Sequence, residues 1–537
     1  MKEVIFIWTA FGICMATIFI LLTGHVQRLS HPHERSFLVT LSTLLLLTVV
    51  VASLLLPAVD VALVSSTNIP LLGVRKESAT DAKVNTIVMW TKIAYVALYA
   101  ATGLLAVVLV PFSWVYYEEW DDDSSTASRI GTATKYTLGL LVTLAILFAL
   151  GLFVPTASKL PKTPRDIDLD YLMQLLASSK PIKSLLFVLG ILLCIGTLSM
   201  VLYTAIGLST LPLVLLKTKS TSDLDAEGDE FAVDLDLNRQ KQRQLEMRYA
   251  DTRTTWSTKD RRELEGLQRR ERALIRSARL AAEGRSRVLE KLYRPVRIFL
   301  GLVFLTSSLL LIATLIAGLI RELLSSSSCG ARCGFLEILP STLLLNPINT
   351  VLGKIPYFAA YVFHVLLALF LFLVTLQGIR SLGIRFLWIS LFQVKVRGSL
   401  PQALLCYAII PVFASLGIQY TMADFIVPGY IQYGTQTFCN ATLSECAEDS
   451  SLVVACTMLS HEKDTGCTRS VVSRIGAALV ANFPGFGIVL FWAQFAFIGF
   501  FLFSLIVSVF KKNLGSTMND ESDDEDEGVV TERTRLV

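Results

Sequence analysis

Charge is scarce over most of this sequence, and that alone excludes a soluble globular protein. Only 17% of the 537 residues are Asp, Glu, Lys or Arg, against 53% hydrophobic, and the mean hydropathy is +0.59. A chain so apolar belongs in a bilayer. Histidine is scarce too: there are five, three of them between His25 and His33, which provides poorly for metal-dependent chemistry. No GxSxG, Walker A or HExxH pattern occurs, and no GxGxxG follows a strand, so the machinery of an ATPase or a metalloprotease is missing. The expectation is a non-enzyme with no catalytic residue, no metal site and no cofactor of its own. The net charge of +4 is too small to decide anything about partners.

What the sequence does have is apolar runs. Stretches at 4–22, 36–65, 88–117, 134–156, 184–216, 298–320, 357–378, 402–427 and 481–510 are each long enough to cross a hydrocarbon core as a helix. They predict an all-α, polytopic membrane protein with about nine spans. No small-residue cleavage motif follows the first run, so it reads as a retained helix and not as a signal peptide. Residues 1–216 then form a first group of five spans and 298–510 a second group of four, followed by an acidic tail at 511–537 predicted to be disordered. Ser522 lies in that tail as a candidate phosphosite.

Between the groups lies a polar insert, 217–297. It opens with Asp223, Asp225, Glu227, Asp229 and Glu230, then becomes rich in Arg and Lys from Arg239 to Arg272. Such a block resists translocation and is expected in the cytosol. From 237 to 293 it has no proline and little glycine, which predicts a long helix or a helical hairpin. Carboxylates such as Glu263, Glu265 and Glu271 interleave with the arginines, so a salt-bridged solvated helix fits better than nucleic-acid binding.

With the insert inside and five spans before it, the N-terminus falls outside the cytosol and the C-terminus within it. Arg28 and Arg35 after the first span agree with this, as do Arg380, Arg385, Lys395 and Arg397 after the seventh; the basic residues between 157 and 183 do not. The same topology puts the loop 428–480 in the lumen. That loop carries the N-glycosylation sequon Asn440-Ala441-Thr442 together with Cys439, Cys446, Cys456 and Cys467. Cys329 and Cys333 fall on the same side. Six cysteines in an oxidising compartment are disulfide candidates, with the pairing chiefly among the last four.

Ionisable and amide groups inside spans are the remaining pointers to function, because burying them is costly. Asp60 lies near the lumenal end of the second span and Lys92 near the lumenal start of the third, at depths that permit an ion pair. His364, the only histidine within an expected span, is expected to be neutral and hydrogen-bonded to a neighbouring helix. Pro111, Pro155, Pro212 and Pro411 lie within or at the ends of spans, where kinks can widen a cavity. The apolar but interrupted stretch 335–352 reads as a re-entrant or interfacial segment.

Several strings carry a family likeness. They are Leu56-Pro57-Ala58-Val59-Asp60, Tyr116-Tyr117-Glu118-Glu119, Lys135-Tyr136-Thr137-Leu138-Gly139, Pro401-Gln402-Ala403-Leu404-Leu405 and Gln432-Tyr433-Gly434-Thr435-Gln436. With these the chain resembles the lipocalin-receptor-like (LMBR1-domain) membrane family, and within it the lysosomal cobalamin transporter branch. The resemblance implies a lysosomal or vacuolar multi-pass protein needed to export cobalamin from lumen to cytosol, with an ABC-type transporter as partner. The alternatives are a lipocalin-type ligand receptor and a scaffold that escorts such a transporter. Cobalamin is large and rich in amides, so a path for it calls for neutral hydrogen-bonding groups. Gln377, Gln402, Gln419, Tyr420 and Gln494 are of that kind; Asp60, His364, Gln419 and Gln494 are the candidate cargo contacts.

Overall fold

The computed structural model of the chain describes residues 2–30, 36–69, 72–119, 125–151, 180–217, 287–329, 355–386, 389–394, 398–441, 443–449, 452–456, 466–474 and 484–510, with single positions or short pieces of the insert between 235 and 271 and at Ile348 and Leu352. Two compact units result, one of Met1–Leu211 with Ser307–Phe510, the other containing Pro212–Thr306. Among the described residues, nine helices are long and apolar enough to cross a membrane. The architecture is all-α, and three two-stranded ribbons are its only sheets among the described residues.

The spans are α1 (Lys2–Leu29), α2 (Phe37–Ser65), α3 (Asp81–Glu118), α4 (Thr126–Gly151), α5 (Lys180–Ser199, continued by Ala205–Leu216), α6 (Arg287–Cys329), α7 (Tyr357–Leu382), α8 (Pro401–Thr421) and, after two short helices, α11 (Pro484–Phe510). The short helices are α9 (Pro428–Tyr433) and α10 (Leu443–Glu448). The ribbons are β1 (Asn68–Ile69) with β2 (Val74–Arg75), β3 (Ile384–Phe386) with β4 (Ile389–Phe392) and β5 (Thr437–Cys439) with β6 (Val453–Ala455), all antiparallel.

Several spans run past the limits that hydropathy sets. The first extends to Leu29 and not to 22, so His25 and Arg28 are helical and not part of a loop. No breaker occurs before Pro32, and a cation in the last turn suits the negative end of the helix dipole. Likewise α3 begins at Asp81 and α4 at Thr126, because a helix ends where its hydrogen bonding fails and not where apolar residues run out. The sixth span is continuous from Arg287, through the expected boundary at 297. The stretch 335–352 lies outside the described residues apart from Ile348 and Leu352; the tail 511–537 and Pro155 lie wholly outside them.

Three spans form the interior of the first unit. In their most apolar stretches, 61% of α2, 61% of α7 and 67% of α8 is buried, against 6% of α1 and 11% of α3 and α4. Helices apolar all round are what an interior position requires. Where α5 crosses α7, Gly207 and Gly378 let the backbones meet: a Cβ on either would collide with the carbonyl of Val374 or Tyr203. The same crossing holds the Thr204 and Thr375 hydroxyls 2.8 Å apart. Small residues at a helix crossing, with a hydroxyl pair beside them, supply association where lipid gives no hydrophobic drive. Among the described residues, three π-helical turns interrupt the spans, at Leu105–Leu109, Met200–Thr204 and Met422–Ile426; the first ends just before Pro111.

In the second unit, the described part of the insert is helical, and it doubles back. Asn238 Nδ2 and Gln242 Nε2 donate to the Leu267 carbonyl at 2.9 and 3.1 Å, and Arg239 Nε meets Glu271 Oε1 at 2.8 Å. In a straight helix, positions so far apart in sequence would be separated by about 40 Å, so the two described pieces lie side by side instead of in one straight helix. Hydrogen bonds from Arg239 and then Gln242 hold the Glu271 carboxyl below its usual range.

Gly378→Val forces a branched side chain into the α5–α7 crossing. Overpacking of this kind costs about 1 to 3 kcal/mol. The variant is expected to unfold at lower temperature in detergent than Gly139→Ala, at a site with open space around it; equal midpoints would contradict the crossing.

Candidate functional site

At one end of α2 the described residues of 66–80 and 434–474 build a compact polar cap. Gly434 has φ +65° and lies so close to Ser65 that a Cβ would strike the hydroxyl, while the Thr435 N–H donates to Ser65 Oγ at 3.1 Å. Gln436 then clamps Thr468 on both sides: Nε2 donates to the Thr468 carbonyl at 2.8 Å and Oε1 accepts from its N–H at 2.9 Å. Asn68 Nδ2 donates to the Thr437 carbonyl at 2.9 Å, and the Cys439 N–H to the Gly73 carbonyl at 3.0 Å. Disulfides join Cys439 to Cys446 and Cys456 to Cys467. Cys333 and the Cys329 side chain lie outside the described residues. Asn440 is exposed at the rim, its N–H bonded to the Leu452 carbonyl at 3.1 Å.

Asp60 ties this cap to the bundle. Its carboxylate is 1% exposed and accepts from the Val472 N–H at 3.1 Å and from the Tyr95 hydroxyl at 3.4 Å. The expected ion pair with Lys92 does not form. On α3, Thr91 and Tyr95 point inward, and that rotation leaves Lys92 exposed. Depth in the membrane set the two residues level, but the rotation of α3 decides which of its side chains meets Asp60.

The polar seam continues along α3. Tyr95 and Tyr99 stack at 6.0 Å; Tyr99 donates to Gln419 Oε1 at 2.6 Å, and Gln419 Nε2 donates to the Ser53 carbonyl at 2.9 Å. Gln419 thus links α2, α3 and α8. His364 is 2% exposed, and its ring meets Tyr430 edge-on at 5.6 Å. The interhelical hydrogen bond expected of it is not found at Nδ1, which has no partner; an aromatic contact takes that place. Asp60 and Gln419 are thus joined through the stacked Tyr95 and Tyr99, whereas His364 packs on Tyr430.

Gln494 is different. It is fully buried on α11, and Nε2 donates to Thr421 Oγ1 at 3.1 Å while Oε1 has no partner. Thr421 borders a cavity of about 20 Å³ lined also by Met200, Thr204, Leu315, Ile418 and Phe497. Two of the π turns supply lining residues, a recurrent property of π turns at functional sites. The cavity has room for roughly one water, whereas ligand pockets begin near about 300 Å³. Sequence reasoning pointed to Gln494 but not to its partner Thr421 or to Met200, which nothing but their π-turn neighbourhood marks out. Gln377 and Gln402 are only half-buried.

A bundle of membrane-spanning helices with a buried polar seam and a small cavity between them defines an integral membrane protein of the polytopic helical class. No family model matches the chain, and no solved structure does. Curated relatives do. A probable lysosomal cobalamin transporter of Podospora anserina is 36% identical over 560 residues, covering 98% of this chain and 93% of the relative. Proteins of the same name from Sclerotinia sclerotiorum, 36% identical over 98% of this chain and 92% of the relative, and Neurospora crassa, 35% identical over 98% and 92%, agree with it. The chain belongs to the lysosomal cobalamin transporter family.

Asp60→Leu strands the Val472 N–H and the Tyr95 hydroxyl in a buried site, at about 1 to 3 kcal/mol for a group left unpaired. Asp60→Asn keeps an acceptor and is expected to lose less. Thermal unfolding of the purified chain separates them; a leucine variant as stable as the asparagine variant would show that the carboxylate does not hold the cap.

Proposed function

We propose that this protein moves cobalamin from the lysosomal or vacuolar lumen to the cytosol, without enzymatic activity of its own. Likeness to relatives of that name over nearly the whole of both chains carries the reading. The amide and hydroxyl groups at the centre of the bundle support it: Gln494 and Thr421 are neutral hydrogen-bonding groups of the kind an amide-rich cargo needs. As part of the same proposal, the family lies within the wider lipocalin-receptor-like group. The N-terminus and the disulfide-bonded cap are lumenal, and the insert 217–297 and the C-terminus are cytosolic.

A second reading is favoured by one observation. The central cavity is far smaller than cobalamin, which suits a scaffold that escorts an ABC-type transporter. Deleting the gene should leave cobalamin in the lysosomal fraction under either reading, and re-expression should release it; unchanged distribution would reject both.

The topology has its own test. Protease added to sealed lysosomes should cut within the insert and spare the cap. Asn440→Gln should abolish a glycosidase-sensitive mass shift. Under non-reducing conditions Cys439 to Cys446 and Cys456 to Cys467 should appear as linked peptides, each bridge contributing about 2 to 4 kcal/mol. A protected insert with a cleaved cap would reverse the assignment of sides.

A further inference from the structure

At the end of the bundle away from the cap, two arginines and a histidine gather where α1 and α7 finish. His25 and Arg28 lie in the closing turns of α1 and Arg380 in the last turn of α7. His25 Nε2 is 3.0 Å from the hydroxyl of Tyr407, a fully buried residue of α8. Arg28 and Arg380 are both near enough for their charges to act on the His25 ring, and Arg380 acts on Tyr407 as well. The Ser399 N–H donates to the Leu29 carbonyl at 3.2 Å, fixing the end of α1 to the start of α8. Three helices therefore hold the cluster in place.

Among the described residues, neither Arg28 nor Arg380 forms an ion pair with a carboxylate. Ion pairs elsewhere among the described residues include Arg75 with Asp81, Lys76 with Glu3 and Arg239 with Glu271. A cation in the last turn of a helix complements the dipole, and that accounts for the exposed Arg28. It does not account for Arg380, which is half-buried with its Nε out of solvent and without an acceptor. Leaving a buried donor unpaired is costly, so Arg380 Nε has hydrogen-bonding capacity for an acceptor that the described residues do not supply. Guanidinium groups pair with phosphate oxygens in a fork geometry, and basic pockets between spans at headgroup depth suit anionic lipids.

We propose that His25, Arg28 and Arg380 form a phosphate-binding pocket between α1, α7 and α8, filled by the headgroup of an anionic phospholipid. This is independent of the cargo. The source of the phosphate, lipid or soluble anion, is decided by experiment.

The full chain, delipidated in a neutral detergent, is heated with phosphatidylinositol 4-phosphate, with phosphatidylcholine of the same acyl chains, and with inorganic phosphate. The anionic lipid should raise the unfolding midpoint, since a ligand that binds the native state stabilises it, and phosphatidylcholine should not. In Arg380→Gln and Arg28→Gln the rise should fall by about half or more. Arg28 is exposed, so its variant should keep the unliganded midpoint and remain informative if Arg380→Gln fails to fold. A rise with inorganic phosphate equal to that with the lipid, and lost in the variants, would confirm phosphate recognition and overturn the headgroup as its source. No rise, or the same rise in wild type and both variants, would overturn the proposal.

Discussion

Inside hydrocarbon, water cannot satisfy a polar group, so each one must find a partner within the protein. That constraint makes every span of this chain a helix, and it also selects the side chains that join the helices. Ser42 meets Ser113 at 2.8 Å between α2 and α3, Thr204 meets Thr375 between α5 and α7, and Gln419 bonds to both α2 and α3. Asp60 extends the principle beyond the bundle. A buried carboxylate with two donors fixes the cap, and the cap in turn orders its own disulfides and the Gln436–Thr468 clamp.

The spans were legible because a hydropathy run measures directly what the bilayer selects. Their rotation was not. Lys92 and Asp60 lie at compatible depths, yet Thr91 and Tyr95 face the interior and turn the lysine away. Hydropathy also could not see the last turns of α1, which is why His25 was expected in a loop when it bonds Tyr407 from within a helix. The string Gln432-Tyr433-Gly434-Thr435-Gln436 was recognisable as a family signature but silent as to purpose. Its role depends on Ser65 and Thr468, residues remote in sequence that only the folded chain brings to it. Disulfide pairing is silent for the same reason: four cysteines allow three connectivities.

The candidate cargo contacts divide by the same logic. Asp60 and Gln419 already have partners, and the His364 ring is packed on an aromatic edge. Two candidates keep hydrogen-bonding capacity to spare, His364 at Nδ1 and Gln494 at Oε1, and of these Gln494 bonds a threonine that borders the cavity. The π turns on α5 and at the end of α8 give the helices around this cavity looser hydrogen bonding than an α-helix. As part of the transport proposal, we read this small cavity as one state of a passage that widens between these helices.

Flux through the purified chain tests that reading most directly. Proteoliposomes holding only this protein and loaded with cobalamin should release it down its gradient faster than protein-free vesicles do. Filling the cavity with Thr204→Trp should slow the release, provided that the variant keeps its fold. Release no faster than from empty vesicles, by protein that is folded and correctly inserted, would contradict a passage within this chain and leave the escort role in its place.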